Sequence, residues 1–255
     1  MSFDACAQLV ERGDPVRFRA AMAAPVAARA VLFPLYAFNL EVARAPWVTK
    51  EPMIAEMRLQ WWRDVLKEVV AGVQVRRHEV TDALAEVLDA DGAHALDDLV
   101  AMRRWDVYSD AFEDREHLDS YIAATSGALM GVSARLLGPA DADVVADFAY
   151  GVGVANFLRA IPALEDAGRK PLIDGTPAGV RDLAQNALAR LNRARRMRRK
   201  VSAAAGPALL TGWQARAVLT RAAQDPALVV EGLLEPAPVA DQFRLLRAAT
   251  LGWWR

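Results

Sequence analysis

Three aspartates stand four residues apart in RRWDVYSDAFED (103–114): Asp106, Asp110 and Asp114. On a continuous helix such residues stack on one face. Two facing carboxylates can hold Mg2+ when phosphate oxygens complete its octahedron. The alternative is a solvated acidic stripe leading into a turn. A second constellation is NFLRAIPALEDAGRKP (156–171). There Asn156 and Arg159 share a helix face in an apolar run, a proline follows, and Gly168, Arg169 and Lys170 come next: either a kinked core helix or a frame for an anionic ligand. A third, RLQWWRD (58–64), sets Trp61 and Trp62 beside Arg58, Arg63 and Asp64. Neighbours on a helix point about 100° apart, so one tryptophan is expected in the core and the other against a cavity or interface.

Other chemistries lack support. His78, His94 and His117 have no metal-ligand spacing and no cysteine partners, and are expected at the surface. Cys6 is the single cysteine, so no intramolecular disulfide forms. Gly151-Val-Gly153 does not continue as a dinucleotide fingerprint, and the glycines around Ser133 are wrongly spaced for a nucleophile elbow. RLNRARRMRRK (190–200) has seven basic residues in eleven. It reads either as a solvated helix face or as a phosphate- or lipid-facing patch. Stacking aromatics are not interleaved with it, so nucleic acid is not an expected partner.

These residues must be positioned by helices. The chain is rich in Ala, Leu, Arg and Glu and has no long alternating apolar pattern, which predicts an all-α protein. Asp14-Pro15 reads as a helix start, Pro25 and Pro34 as breaks or kinks in the segment after it, Thr49 as a cap for the next helix and Gly72 as its end. Further helices are expected near 79–90, 93–109, 115–137, 141–164, 177–203, 207–223 and 239–253. With no repeat and no low-complexity linker, residues 1–255 are expected to form one domain.

Charge is uneven. Residues 1–166 hold 16 basic and 26 acidic side chains, and residues 167–255 hold 15 and 6, so net −10 faces net +9. Either the basic part meets an anionic partner, or the two parts neutralise each other across an interface. The start MSFDACAQLVERGDP lacks the basic and apolar regions of a signal peptide, and no uninterrupted apolar stretch reaches membrane-span length. A cytoplasmic protein is expected, peripheral to the inner face of the membrane. The C-terminal DQFRLLRAATLGWWR mixes arginines with tryptophans, suiting either a membrane interface or a closing helix packed on the body.

In order, ARAVLFPLYAFNLEVA, MRLQWWRDVL, DDLVAMRRWDVYSDAFEDREHLDSYIAATSGALMGVSARLLG and GVGVANFLRAIPALEDAGRKPL make the chain resemble the squalene/phytoene synthase family over nearly its whole length. The resemblance implies an isoprenoid-synthase-type helical bundle around a central cavity. It implies enzymes that join two prenyl diphosphates head to head, with Mg2+ gripped by two facing aspartate motifs. Carried onto this chain, it makes Tyr36, Asn39, Glu41, Arg44, Arg58, Trp62, Asp106, Tyr121, Asn156, Arg159 and Arg169 the ligand-binding candidates; the metal candidates Asp106 and Asp110 come from the aspartate spacing, not from the resemblance.

The pattern also departs from that family. Ala43 and Arg44 fall where the first motif's paired aspartates belong, and Trp47 falls near its last acid; Glu41 is the acid left there. Ala160 and Leu164 fall where the second motif's aspartates belong. Pro162 is expected to bend or end that helix, leaving Glu165 and Asp166 out of register. FNLEVA, RLQWW and LRAIP resemble the branch that includes mitochondrial complex I assembly factor 6. That branch implies a non-catalytic protein binding a prenyl lipid or a protein of a membrane respiratory complex, with no cofactor. The alternative is an active Mg2+-dependent head-to-head prenyltransferase using Glu41, Asp106, Asp110, Glu165 and Asp166 on a prenyl diphosphate.

Overall fold

Asp14 separates the first two helices, α1 (Ser2–Gly13) and α2 (Pro15–Ala23). Its Oδ1 accepts the backbone N–H of Arg17 at 2.9 Å, and Pro15 takes the first helical position, where its missing N–H costs nothing. Pro25 then opens α3 (Val26–Arg44). Thr49 is not the cap of α4 (Pro52–Ala71): its hydroxyl accepts from the Glu51 N–H at 3.1 Å, and the helix starts after Glu51. Gly72, at φ 65°, closes α4 in the left-handed region that disfavours a Cβ. The computed structural model describes residues 2–49, 51–108 and 110–254.

The chain continues through α5 (Thr81–Val87), α6 (Ala90–Arg103) and a 3-10 turn at 104–107. Next come α7 (Arg115–Ile122), a π-turn at 123–127, α8 (Ala128–Leu137) and the long α9 (Ala142–Asp166). The remainder is α10 (Pro177–Arg196), α11 (Gly206–Leu209), α12 (Ala215–Gln224), α13 (Ala227–Val230) and α14 (Pro238–Leu251). No strand occurs among the described residues; Ala140 and Val201 make an isolated bridge. The fold is all-α, as expected. The expected segments at 93–109, 115–137, 177–203 and 207–223 are each broken by a tighter or wider turn.

Two prolines do not end their helices. Pro34 lies inside α3 and Pro162 inside α9, and both helices run on past them. Losing one backbone hydrogen bond and relieving a clash costs about 3 kcal/mol. Both helices are largely buried, and that packing outweighs the cost. α9 packs on α8, α10 and α12, while α3 packs on α1, α5 and α8. Both are long and apolar enough to cross a membrane, but most of each apolar window is buried inside the protein.

The tryptophan pair resolves into core. Trp62 is buried edge-on to Phe38, 5.3 Å between ring centroids, and Trp61 lies half-buried against it at 4.9 Å. His78 is no surface residue: it is half-buried against both rings. His117 likewise packs on Trp105 and Phe112, and only His94 is exposed. The C-terminal segment is split. Trp253 is buried against Phe148, at 4.7 Å, while Phe243 and Leu246 of α14 stand in solvent.

Candidate functional site

α6 runs into the 3-10 turn, which brings Asp106 back beneath Arg103, three residues earlier. Arg103 Nη1 donates to Asp106 Oδ2 at 2.8 Å and to the Tyr121 hydroxyl at 2.6 Å. Tyr121, from α7, donates in turn to the Asp106 carboxylate, 3.0 Å from each oxygen. Asp106 and Tyr121 are buried. Burial alone would lower the Arg103 pKa, but Tyr121 and Asp106 beside it more than offset this and keep it charged. Burial raises the Tyr121 pKa; Arg103 opposes that and Asp106 adds to it, so the phenol stays a donor. The result is a closed unit in which one half-buried cation faces one buried anion. Within this unit the Nε of Arg103 is buried and finds no partner among the described residues.

Asp110 and Asp114 do not join Asp106 on one face. The turn ends at Val107, and Asp114 caps α7, accepting the His117 N–H at 2.8 Å. Thus Asp114 is an exposed cap and Asp106 is buried, so the three do not form one stripe.

These side chains border a cavity of about 260 Å3. Its long wall is α9, through Gly153, Asn156, Phe157, Ala160 and Leu164, one face of the helix. Asn39 and Ala43 of α3 face it, with Trp47 at the α3–α4 connection. Trp105 stacks on Phe112 at 4.1 Å along another side. Thr125 and Ser126 of the π-turn complete that wall, with the Thr125 hydroxyl donating to the Tyr121 carbonyl at 2.6 Å. Single π-turns inside helices are frequent at functional sites. Gly153 is required by close approach: a Cβ there would lie 2.6 Å from Ile122 Cγ2 and 2.9 Å from Ser126 Cβ. The chain after α9 supplies Arg169, Lys170 and Pro171. Arg169 donates to the Asp106 carbonyl and lies over the Trp47 ring, 4.5 Å from its centroid. Arg17 of α2 is a further cationic lining residue.

Of the candidates read from the sequence, Asn39, Asp106, Asp110, Tyr121, Asn156 and Arg169 line this cavity. Tyr36 is buried in the core beneath Arg17, its hydroxyl without a partner among the described residues. Glu41 is half-buried outside the lining, Arg44 and Arg58 are exposed, and Trp62 belongs to the core. Arg159 parts from Asn156. Three residues on a helix leave about 60° between them, enough to turn its guanidinium outward to Glu235, at 2.7 Å, and Gln214, at 3.1 Å. Gln214 and Trp213 both donate to buried Asp241 at 2.8 Å, so Arg159 ties α9 to the start of α14. Arg103, Phe112, Thr125, Ser126 and Phe157 were not among the candidates. For Arg103 a signal existed, a base three residues before an acid.

Mg2+ needs oxygen ligands in near-ideal octahedral geometry. Among the described residues, no three His, Cys, Asp or Glu side chains converge to hold a metal. Asp106 and Asp110 both line the cavity, but both oxygens of Asp106 are engaged by Tyr121 and one also by Arg103. Ala43, Trp47, Ala160 and Leu164 line the wall, while Glu41, Glu165 and Asp166 do not. The residues present do not fit the metal.

The fold is similar to that of a dehydrosqualene synthase crystallised with a ligand: TM-score 0.79, 16% identity, covering 98% of this chain and 95% of that one. In sequence, the chain is similar to the complex I assembly factor 6 homolog of Drosophila melanogaster, 30% identical over 174 residues, 65% of this chain and 51% of that protein. It is also similar to complex I assembly factor 6 of Bos taurus, 25% identical over 241 residues, 80% of this chain and 69% of the bovine protein. This chain therefore spans about half the length of the fly relative. The squalene/phytoene synthase pattern matches residues 10–172, more than half of the sequence, and the chain belongs to the squalene/phytoene synthase family.

Proposed function

We propose that the protein is a non-catalytic member of its family, which holds a prenyl lipid in the central cavity and serves in assembling a membrane respiratory complex. One observation carries this reading. Ala43, Trp47, Ala160 and Leu164 stand on the cavity wall where the resemblance places metal-gripping acids. Ionising a prenyl diphosphate needs the departing charge stabilised, and those four side chains offer it no ligand. Asp106, the buried carboxylate beside them, is engaged by Arg103 and Tyr121.

The remaining lining suits binding. Aromatic and aliphatic walls accept an isoprenoid chain, and Arg169, Lys170 and Arg17 offer charge to an anionic head. A volume of about 260 Å3 lies just below the roughly 300–1,000 Å3 of ordinary small-molecule sites. Similarity to complex I assembly factor 6 supports the assembly role.

The competing reading, an active head-to-head prenyltransferase, draws on Asp106 and Asp110 sharing one cavity. Incubation with labelled farnesyl and geranylgeranyl diphosphates and Mg2+ separates the two. Retained ligand without released diphosphate is the expected result. Sustained release, lost in Asp110→Asn, would establish the enzyme instead. For the assembly role, deletion is expected to lower assembled respiratory complex I.

A further inference from the structure

The outer face of α14 is apolar. Val239, Phe243 and Leu246 follow at helical spacing and are 67%, 68% and 59% exposed, with Leu251 at 55%. The opposite face, through Asp241 and Ala248, is already buried against the body. A surface helix normally turns polar residues outward, so this one has an unpartnered side. Arg244 and Arg247 border the same stripe.

That stripe is continuous with a basic surface. Phe243, Arg244, Leu246, Arg247 and Thr250 line one shallow depression. Thr250 and Leu251 share the next with Arg198, Arg199 and Trp254. Arg198 and Trp254 share a third, a cup of about 320 Å3, with Asn192, Arg195 and Arg196. Among the described residues, six arginines line the three depressions and no acidic side chain does.

Elsewhere on the same basic run the charges are neutralised. Arg193 donates to Asp147 at 2.6 Å, Lys200 to Asp141 at 2.8 Å, and Arg190 lies 3.6 Å from Asp119. Among the described residues, Arg195, Arg196 and Arg199 have no such partner. Their positive potential is felt locally: burial, and then the Arg195 charge, lower the pKa of Arg216.

We propose that this face docks on an anionic phospholipid bilayer, the arginine cup taking a phosphate-bearing headgroup while Phe243, Leu246 and Leu251 enter the interface. A bilayer supplies both halves of what the strip lacks, negative charge and an apolar layer, along one plane. The placement does not depend on what the cavity holds.

The test is flotation of the full-length protein with vesicles of phosphatidylcholine alone or with phosphatidylglycerol added. Binding is expected only with the anionic lipid, and to fall with salt. Arg196→Glu/Arg199→Glu/Arg247→Glu alters three exposed side chains and is expected to weaken binding more than about a hundredfold, at roughly fivefold per arginine removed. Phe243→Ser/Leu246→Ser is expected to weaken it at low salt as well, with an unchanged circular dichroism spectrum. Equal binding to both vesicle types, no binding to either, or charge-reversed protein that floats like the parent would overturn the proposal. So would a homodimer in sedimentation that Phe243→Ser/Leu246→Ser dissolves, because a second copy would then be the occupant.

Discussion

Arg103 and Arg196 belong to two arginine-rich regions that differ in how their charge ends. Inside, Arg103 meets Asp106 and Tyr121, and Arg169 meets a carbonyl and the Trp47 face. On the C-terminal face, Arg195, Arg196 and Arg199 line depressions that hold no acid among the described residues. A buried charge must be paired to persist; an exposed one is stabilised by water and remains available to a partner. The interior arginines therefore hold structure together and shape a cavity. The exterior ones are free for recognition.

The sharpest way to break that contrast is to remove the buried anion. Asp106→Ala leaves Arg103 charged and unpaired, and is expected to cost about 3–5 kcal/mol, while Arg196→Ala costs almost nothing. Thermal unfolding followed by circular dichroism checks it, and equal melting temperatures would erase the distinction. Next is Gly153→Val, whose side chain must push Ile122 and Ser126 aside. A loss of about 1–3 kcal/mol is expected, with weaker retention of labelled prenyl ligand because the same wall narrows.

Arg159→Ala sharpens the map of the cavity. It breaks the link to Gln214 and Glu235 and is expected to cost about 1–2 kcal/mol. Ligand retention should be unchanged, since Arg159 lies outside the lining. A selective loss of ligand would return it to the site. The smallest effect is at Asp89, whose pKa Arg135 holds down at about 2. Its contribution is present above the ordinary carboxylate range and lost as pH falls through about 2. Both side chains are nearly half exposed, at 48% and 45%, so screening limits the pair to under about 1 kcal/mol. Acid titration of Arg135→Ala should lack that limb.

Local punctuation in the sequence was readable. Asp14-Pro15 and Gly72 act where their chemistry says, because a cap depends on a few adjacent residues. Whether Pro34 and Pro162 end their helices was not readable, since that depends on packing from distant segments. The aspartate spacing misled for a related reason: the 3-10 turn at 104–107 and the cap at Asp114 split one apparent stripe into three environments. Asn156 and Arg169, carried over by the family resemblance, line the cavity. Arg159 does not, because its partner Glu235, 76 residues away, draws it outward. The basic face was visible as composition. That its arginines divide into paired and unpaired sets needed the positions of Asp119, Asp141 and Asp147.

Cys6 carries a practical consequence. It is the chain's single cysteine, fully enclosed, and burial, aided by Glu79, pushes its thiol up to about 12. Only the thiolate reacts readily, so the unaltered protein is silent towards maleimide dyes while folded. A cysteine introduced at Phe243 or at Trp47 would therefore be labelled alone. One fluorophore could then report entry into a lipid layer, and the other the filling of the cavity, in the same background and without removing a native residue first.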